Sequence, residues 1–186
     1  HNPMEPHAST VVWEGDGKIT VHDKIQGVQN TQRYIKQVFG LSTADVQVIS
    51  PYVGGAFGSG LRPQYQLFLA VMAALELKRS VRVVLTRDQM FTFTYRPDGL
   101  QEVALAANED GSLQAIRHDL IGNTSHFEDY TEQTVGWSGM LYHCDNYKGS
   151  YKVAQLDTYT PGDMRAPGAP TGHFAGESAV DELSHK

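Results

Sequence analysis

The chain has 186 residues, of which 40% are hydrophobic and 19% charged, and this composition is typical of a folded domain with its own core. Fifteen Lys and Arg residues against 21 Asp and Glu give a net charge of −6. No dense basic run is present to neutralise a phosphate backbone, so a nucleic-acid partner is excluded. The single cysteine, Cys144, can form neither an internal disulfide nor a cluster of thiolate ligands for iron and sulfur.

Membrane insertion is not expected either. The longest apolar stretch, Leu67–Leu75, is about half the length of a membrane-spanning helix. No positively charged, apolar leader precedes the first predicted strand. We therefore expect neither a membrane span nor an export signal in this chain.

The N-terminal part of the chain predicts a hairpin followed by a helix. Ser9–Trp13 and Lys18–His22 are rich in β-branched residues and flank the turn Glu14–Gly17, so they are expected to pair as antiparallel strands. Asn30 is predicted to cap a helix that ends at Gly40, because glycine readily adopts the left-handed conformation that stops a helix.

A strand, a glycine-rich segment and a second helix follow. The β-branched run Asp45–Tyr52 predicts a buried strand, and the segment Gly54–Gly60, named here the glycine loop, leaves it. Gln64–Lys78 is apolar on nearly every face, which predicts a central, buried helix. Val81–Thr86 is expected to be a strand beside that helix.

The C-terminal part predicts a second hairpin and a long loop. Glu102–Ala107 and Ser112–Leu120 are joined by the turn Asn108–Gly111, which favours antiparallel pairing. Periodicity fades over Gly122–Ser150, where a long loop with short elements is expected. Tyr151–Asp157 then predicts a further strand.

A loop over Thr160–Pro170 and a closing helix from Thr171 complete the chain. Hairpins mixed with helices predict an α+β fold, with a layered mixed or antiparallel sheet and packed helices. The chain starts at His1 within a dense motif, and the helical pattern at Glu177–Lys186 has no later segment to cover its apolar side, so we expect a fragment of a larger protein.

The glycine loop is the strongest candidate for a binding site. It lies between a predicted strand and a predicted helix, where missing Cβ atoms let backbone N–H groups approach a ligand closely. It is not a Walker loop, because Leu61 and Arg62 stand where Lys and Ser or Thr are required. It also lacks the dinucleotide fingerprint, because Pro63 occupies the third glycine position. A tight turn without a ligand remains an alternative for these glycines.

A second candidate is the segment Asp163–Gly168, named here the arginine loop. It places Arg165 just before a rigid Pro-Gly turn and a predicted helix start, an arrangement that can hold a guanidinium toward a pocket. A solvated or capping arginine is the alternative. Ser59 and Ser138 lack the spacing of a nucleophile elbow. In Met4–His7 an acid and an imidazole stand together, as acid/base groups or as a capping pair.

The motifs together resemble one known family. Met4–His7, Gln26, the stretch Val48–Gly60 and the arginine loop, in this order and spacing, resemble the large subunit of the xanthine dehydrogenase/aldehyde oxidase family, most closely its bacterial aldehyde oxidase members. The resemblance covers essentially the whole chain. It implies that residues 1–186 are the first part of the molybdenum-binding region of a larger subunit.

The resemblance also implies a cofactor and site residues. The cofactor is molybdopterin, possibly in its cytosine dinucleotide form, whose dithiolene and not a protein side chain ligates the metal. Gln26 would hydrogen-bond an oxygen ligand of molybdenum, and Phe57 and Gly58 would pack beside the metal. The residues implied to bind the cofactor are Gln26, Gly54, Gly55, Ala56, Phe57 and Gly58. Arg165 matches the catalytic arginine that orients substrate and stabilises charge in the transition state.

By the same resemblance, the reaction is the hydroxylation of an aldehyde or aromatic heterocycle with oxygen from water. Electrons pass to iron–sulfur clusters and FAD on partner subunits or domains, and the general base is a glutamate beyond Lys186, so the isolated chain is expected to be inactive. Leu61 stands where xanthine-specific members carry a glutamate, which disfavours xanthine. We expect a cytoplasmic location, with co-export to the periplasm as the alternative.

A different class of function stays open at this point. A strand, a glycine loop and a helix without a catalytic lysine also fit a non-catalytic phosphate- or nucleotide-binding module that uses Gly54–Gly60. An interaction domain without a ligand is a third possibility, because Gly122–Ser150 is rich in loops.

Overall fold

The computed structural model describes residues 2–186, which form two compact units, residues 2–94 and residues 95–186. Each unit has its own sheet, so the predicted α+β class is confirmed in both. Within residues 2–186, no helix has both the length and the apolar character needed to cross a membrane.

The first unit is a four-stranded sheet with two helices. Its elements are β1 (Ala8–Gly15), β2 (Lys18–Asp23), α1 (Val28–Phe39), β3 (Val46–Ile49), α2 (Tyr65–Leu77) and β4 (Val81–Val84). The strand order is β3-β2-β1-β4, in which β1 is antiparallel to β2 and β4, whereas β3 runs parallel to β2. The predicted first hairpin is therefore confirmed, and the parallel crossover through α1 makes the sheet mixed.

One apolar cluster holds this unit together. Its fully buried members come from the strands and from both helices: Val11, Val21, Ile35, Leu67, Ala70, Val71 and Ala74. Helix α2 buries only one face, because Leu69 and Met72 on its other side are about half exposed. The prediction of a helix buried on all sides was therefore wrong, since an apolar pattern alone does not show which faces find a partner.

Predicted boundaries of one helix and one strand in this unit were also wrong. Helix α1 starts at Val28 with Gly27 as its N-cap, because the side chain of Asn30 bonds Leu61 and Arg33 and does not cap the helix. The strand predicted over Asp45–Tyr52 is only Val46–Ile49: it begins one residue later, because the Asp45 carboxylate closes a capping box with Ser42, and it ends three residues earlier. The predicted stop of α1 at Gly40 is confirmed, with a left-handed φ of 67°.

The second unit is a three-stranded sheet with two helices. Its elements are β5 (Gly99–Ala107), β6 (Leu113–Ser125), α3 (Gly136–Leu141), β7 (Tyr147–Leu156) and α4 (Ala169–Ser184). The order is β5-β6-β7, with an antiparallel β5–β6 hairpin and a parallel β6–β7 pair. Helix α4 packs against β5 and α3. The second predicted hairpin and its turn are confirmed.

The loop predicted over Gly122–Ser150 is shorter than expected. Strand β6 continues to Ser125 and β7 starts at Tyr147. The polar residues Thr124 and Ser125 are fully buried here, because their hydroxyls bond the backbone near Tyr130 and the side chain of Thr160. Buried polar residues with hydrogen-bond partners hide a strand from sequence periodicity.

Candidate functional site

The glycine loop takes a backbone path that few side chains allow. It follows β3 and precedes α2, and it carries three positive φ angles, 87° at Gly55, 52° at Phe57 and 99° at Gly58. A non-glycine residue in this left-handed region costs about 1 kcal/mol. Strained residues of this kind persist where the surrounding contacts determine the backbone, and they cluster at ligand-binding sites.

The glycine loop is closed by hydrogen bonds and leaves little room for a side chain at Gly60. Ser59 donates to the Ala56 carbonyl from its N–H at 3.0 Å and from its hydroxyl at 2.8 Å. A Cβ on Gly60 would lie 3.0 Å from the Cβ of Ala56 and 3.4 Å from the Cγ of Gln26. The loop is therefore folded tightly onto itself and onto Gln26, which follows β2.

The Met4–His7 motif holds both ends of the glycine loop. Glu5 and Gly54 exchange two hydrogen bonds, from Glu5 N to Gly54 O at 3.1 Å and from Gly54 N to Glu5 Oε2 at 2.6 Å. His7 Nε2 lies 3.2 Å from Ser59 Oγ. Because the Ser59 hydroxyl already donates to Ala56, His7 must donate from Nε2. Through these contacts the Met4–His7 motif, named here the brace, holds the glycine loop in place.

His7 of this motif and two residues next to it in the fold, Asp23 and Lys24, are buried titratable groups. His7 is 1% exposed, and burial, reinforced by Lys24, lowers its pKa to about 3. Burial raises the pKa of Asp23 to about 6, although Ser9 donates to its carboxylate at 2.5 Å. Lys24 is 3% exposed, and burial lowers its pKa against the opposing effects of Glu5 and Asp23. Within residues 2–186 its Nζ has no hydrogen-bond partner. His7 is therefore neutral at physiological pH.

Gln26 joins the glycine loop from the segment after β2. Its N–H donates to the Gly60 carbonyl at 2.7 Å, and its side-chain oxygen accepts from the Gly58 N–H at 3.3 Å. The residue is exposed, and its amide nitrogen has no acceptor among residues 2–186. Gln26 therefore offers two N–H donors at the surface of the loop.

The loop also leaves backbone donors unused. Among residues 2–186, the N–H groups of Gly55, Ala56 and Phe57 have no acceptor. Successive N–H groups without acceptors, beside an exposed amide, can bind the acceptor atoms of a ligand. The Phe57 ring is 54% exposed and adds an apolar surface beside them. The six residues predicted to bind the cofactor thus lie in one unit, and Ala56 is the buried one among them.

The arginine loop lies in the second unit and is strained in the same way. Ala166 has a φ of 53°, and Gly168, the N-cap of α4, has a φ of 76°. A Cβ on Gly168 would lie 2.3 Å from the Gln133 carbonyl oxygen, so only glycine fits. Arg165 is exposed, and its guanidinium makes no hydrogen bond or ion pair with any of residues 2–186. Its charge is therefore available to a ligand.

Sequence reasoning missed two residues that hold this loop. Arg96 Nη2 donates to the Arg165 carbonyl at 2.7 Å, and Arg96 Nη1 lies 3.4 Å from Glu132 Oε2. The same carboxylate oxygen accepts from the Gly168 N–H at 2.8 Å. Glu132 is 3% exposed, and burial raises its pKa. Neither residue stands in a motif, and Glu132 lies in the segment without periodicity, so no local signal could have identified them.

A serine and a histidine also meet in the second unit. His118 lies 2.8 Å from Ser138 Oγ through Nδ1 and 3.0 Å from Gln101 Oε1 through Nε2. His118 is 0% and Ser138 4% exposed, and burial lowers the pKa of His118. Because a substrate cannot reach this hydroxyl, the group is a buried hydrogen-bond network that ties α3 to β6.

Known proteins match the whole chain. The model of the molybdopterin cofactor-binding domain matches residues 1–186. The aldehyde oxidoreductase molybdenum-binding subunit PaoC of Escherichia coli (strain K12) is 35% identical over 100% of this chain and 25% of that protein. The putative xanthine dehydrogenase molybdenum-binding subunit XdhA of the same strain is 28% identical over 99% of this chain and 25% of its own length.

The fold also matches solved structures. Aldehyde oxidoreductase from Desulfovibrio gigas aligns with a TM-score of 0.87 over 98% of this chain and 21% of that chain, at 24% identity. At this identity the match shows the fold. The chain spans about a quarter of the length of the curated relatives named above. A phosphate- or nucleotide-binding module, the alternative interpretation of the glycine loop, receives no support from these matches.

Proposed function

Because this chain belongs to the molybdopterin cofactor-binding domain family, we propose that it is the first part of the molybdenum-binding region of an oxidoreductase that hydroxylates an aldehyde or aromatic heterocycle. The observation that carries the proposal is the glycine loop. Its unused N–H groups and strained Phe57–Gly58 backbone form a surface that fits a bulky cofactor rich in acceptor atoms.

The residues present fit the molybdenum cofactor. Gly55, Ala56 and Phe57 offer backbone donors, and Gln26 offers its side-chain amide to an oxygen atom of the group. Among residues 2–186, no three His, Cys, Asp or Glu side chains are grouped to hold a metal ion. A metal held by the dithiolene of its own cofactor needs only such hydrogen-bond donors from the protein. When bound, the cofactor supplies two-electron redox chemistry.

For an aldehyde, the proposed net reaction joins the substrate and one water to give a carboxylic acid, two protons and two electrons. In it, Arg165 orients the substrate through its unpaired guanidinium. It also stabilises the negative charge that develops on the substrate oxygen, as a preorganised donor does in many enzymes. The neutral His7 and buried Ser59 keep the glycine loop in place without adding charge beside the cofactor.

The side chain of Leu61 bears on the choice of substrate. It is 39% exposed at the end of the glycine loop, and its N–H bonds the Gly58 carbonyl. An apolar group at this position favours an aldehyde or a less polar heterocycle over xanthine, whose polar edge would find no partner there. We propose an aldehyde as the substrate class.

The remaining parts of the proposed enzyme lie outside this chain. We propose that the rest of the molybdenum subunit supplies the general base. Companion iron–sulfur and FAD subunits or domains would carry the two electrons away. A cytosine dinucleotide form of the cofactor and a cytoplasmic location are part of the proposal, with co-export to the periplasm as the alternative.

Metal and cofactor analysis of the full-length protein tests the proposal. The protein that contains this chain would be purified with its companion subunits, and molybdenum and oxidised pterin would be measured per polypeptide. We expect near-stoichiometric amounts of both, and oxidation of benzaldehyde to benzoate with ferricyanide as electron acceptor. A protein that is folded but lacks both molybdenum and pterin would refute the proposal. The isolated 186-residue chain is expected to show no turnover.

A further inference from the structure

The arginine loop has a conformation that its own sequence does not favour. Two of the three residues that follow Arg165 adopt left-handed φ angles, and one of them, Ala166, is not a glycine. An isolated segment of this kind would relax to other conformations. External contacts must therefore hold the backbone from which the Arg165 side chain projects.

Two of those contacts come from one partly buried ion pair. Arg96 holds the carbonyl of Arg165 at the start of the strained segment, and Glu132 holds the N–H of Gly168 at its end. The two side chains contact each other through Glu132 Oε2. One connected group thus fixes both ends of the four-residue segment, in addition to the local bond from the Ala169 N–H to the Ala166 carbonyl.

Charge and burial make this group more than a surface salt bridge. The Glu132 side chain is 1% exposed and that of Arg96 is 24% exposed, so removal of one partner leaves the other charge poorly solvated. Arg96 uses its guanidinium on main-chain and carboxylate oxygens, while the Arg165 guanidinium pairs with neither. The two arginines therefore have separate tasks: one is structural, and the other is left for a ligand.

We propose that Arg96 and Glu132 are positioning residues for Arg165, which hold its backbone so that its guanidinium meets the substrate in one orientation. The inference rests on the proposed function, because it assigns to Arg165 the substrate-orienting role stated above. A displacement of about 1 Å at such a residue can reduce turnover by about 100-fold. Arg96 and Glu132 would thus affect catalysis without touching substrate or cofactor.

A double-mutant cycle tests the inference in the full-length holoenzyme with benzaldehyde and ferricyanide. Arg96→Gln and Glu132→Gln would each be made in the wild-type protein and in the Arg165→Ala variant, with kcat and KM measured separately. In the wild-type background we expect each change to lower kcat/KM by about 10- to 100-fold at unchanged molybdenum content. In the Arg165→Ala background the same changes should alter kcat/KM by less than about twofold, because they act through the missing side chain.

A control and a second readout keep the test decisive. Arg117→Gln removes an arginine that pairs with Glu102 and Asp119 in the same unit, away from the arginine loop, and should leave kcat/KM unchanged. Hydrogen exchange of the amides of Arg165, Ala166, Gly168 and Ala169 should accelerate in Arg96→Gln and Glu132→Gln and not in this control. That measurement needs no turnover, so it applies even where the Arg165→Ala enzyme is too slow to assay.

The outcomes separate this inference from the proposed function. Full activity of Arg165→Ala would refute the role of Arg165 and the positioning role with it. A different result would overturn the positioning role alone: Arg165→Ala loses activity, but Arg96→Gln and Glu132→Gln keep wild-type kinetics and wild-type hydrogen exchange. Equal losses in both backgrounds would also overturn it, since they would show effects independent of Arg165. If Glu132→Gln fails to fold, Arg96→Gln carries the same comparison.

Discussion

The glycine loop and the arginine loop reach similar backbone geometry by different means. Each contains a non-glycine residue in the left-handed region, Phe57 at 52° and Ala166 at 53°, and in each a glutamate carboxylate accepts from a glycine N–H. The glycine loop is otherwise held by several neutral hydrogen bonds from different side chains. The arginine loop is held by one partly buried ion pair and by a hydrogen bond from the Tyr130 hydroxyl to Asp163.

The difference follows from what each loop presents. The glycine loop presents backbone N–H groups, so its function depends on the path of the main chain, and many neutral contacts can share the task of holding it. The arginine loop presents one charged side chain on a short strained segment. We therefore expect the glycine loop to be sensitive to added Cβ atoms and the arginine loop to be sensitive to lost charges.

The largest effect in the glycine loop should come from Gly55→Ala. The new Cβ would sit at a φ of 87° and lie 3.0 Å from the Phe57 ring and 3.3 Å from Pro3, so we expect a local cost of about 3 kcal/mol. Molybdenum content of the full-length protein, measured by mass spectrometry, should fall by about half or more if the cost displaces the N–H groups from the cofactor.

A matched control separates this clash from backbone strain alone. Gly17 has a similar φ of 78° in the β1–β2 turn, and a Cβ there would meet no atom within 4 Å. Gly17→Ala should therefore cost only about 1 kcal/mol and keep the metal content of the parent protein. Equal losses of molybdenum in the two variants would show that the glycine loop has no special part in binding the cofactor.

A smaller effect is expected from pH, and it tests whether His7 is neutral in the folded chain. The pKa of His7 is about 3 in the folded chain against 6.5 for the free side chain, so the unfolded chain binds more protons between these pH values. Stability from this group is fully present above pH 6.5 and is lost as the pH falls. From pH 6.5 to pH 5 the wild-type chain should lose about 2 kcal/mol relative to His7→Gln.

Urea unfolding of both chains at a series of pH values measures this difference. Asp23, whose pKa is raised to about 6, titrates with the opposite sign, since its contribution to stability is lost as the pH rises from about 4 to about 6. Because Asp23 is present in both chains, its contribution cancels in the difference. Parallel pH profiles for the wild-type and His7→Gln chains would mean that His7 is not held neutral in the fold.

The two loops also differ in how much the sequence reveals. The glycine loop and its partner Gln26 lie within one unit. The positive φ angles of Gly55 and Gly58 could be expected from the sequence, because glycine adopts such angles readily. The two hairpins could also be predicted, because the residues that form a turn are neighbours in the sequence. The roles of Arg165 and Gln26 came from the family resemblance and stay predictions, since composition and spacing do not identify a substrate-orienting group.

The parts that could not be predicted depend on contacts between residues far apart in the chain. Glu132 meets Gly168 across 36 positions, and Arg96 meets Arg165 across 69. The buried hydroxyls of Thr124 and Ser125 were taken for loop residues because their hydrogen-bond partners are not visible in a linear pattern. Polar residues become core residues only when the fold supplies those partners.

The smallest expected effect is that of one side chain in the glycine loop, and it completes the comparison with Arg165. Gln26→Ala removes the acceptor of the Gly58 N–H and the proposed donor to the cofactor, but the backbone bond from Gln26 to Gly60 remains. A neutral hydrogen bond contributes about 1 kcal/mol, so kcat for benzaldehyde should fall by about three- to tenfold with molybdenum retained. The exposed neighbour Gln29 on α1 provides the control, and Gln29→Ala should leave kcat unchanged. A loss in Gln26→Ala as large as that in Arg165→Ala would contradict the division of tasks between the two loops, because a single neutral side chain would then matter as much as the substrate-orienting charge.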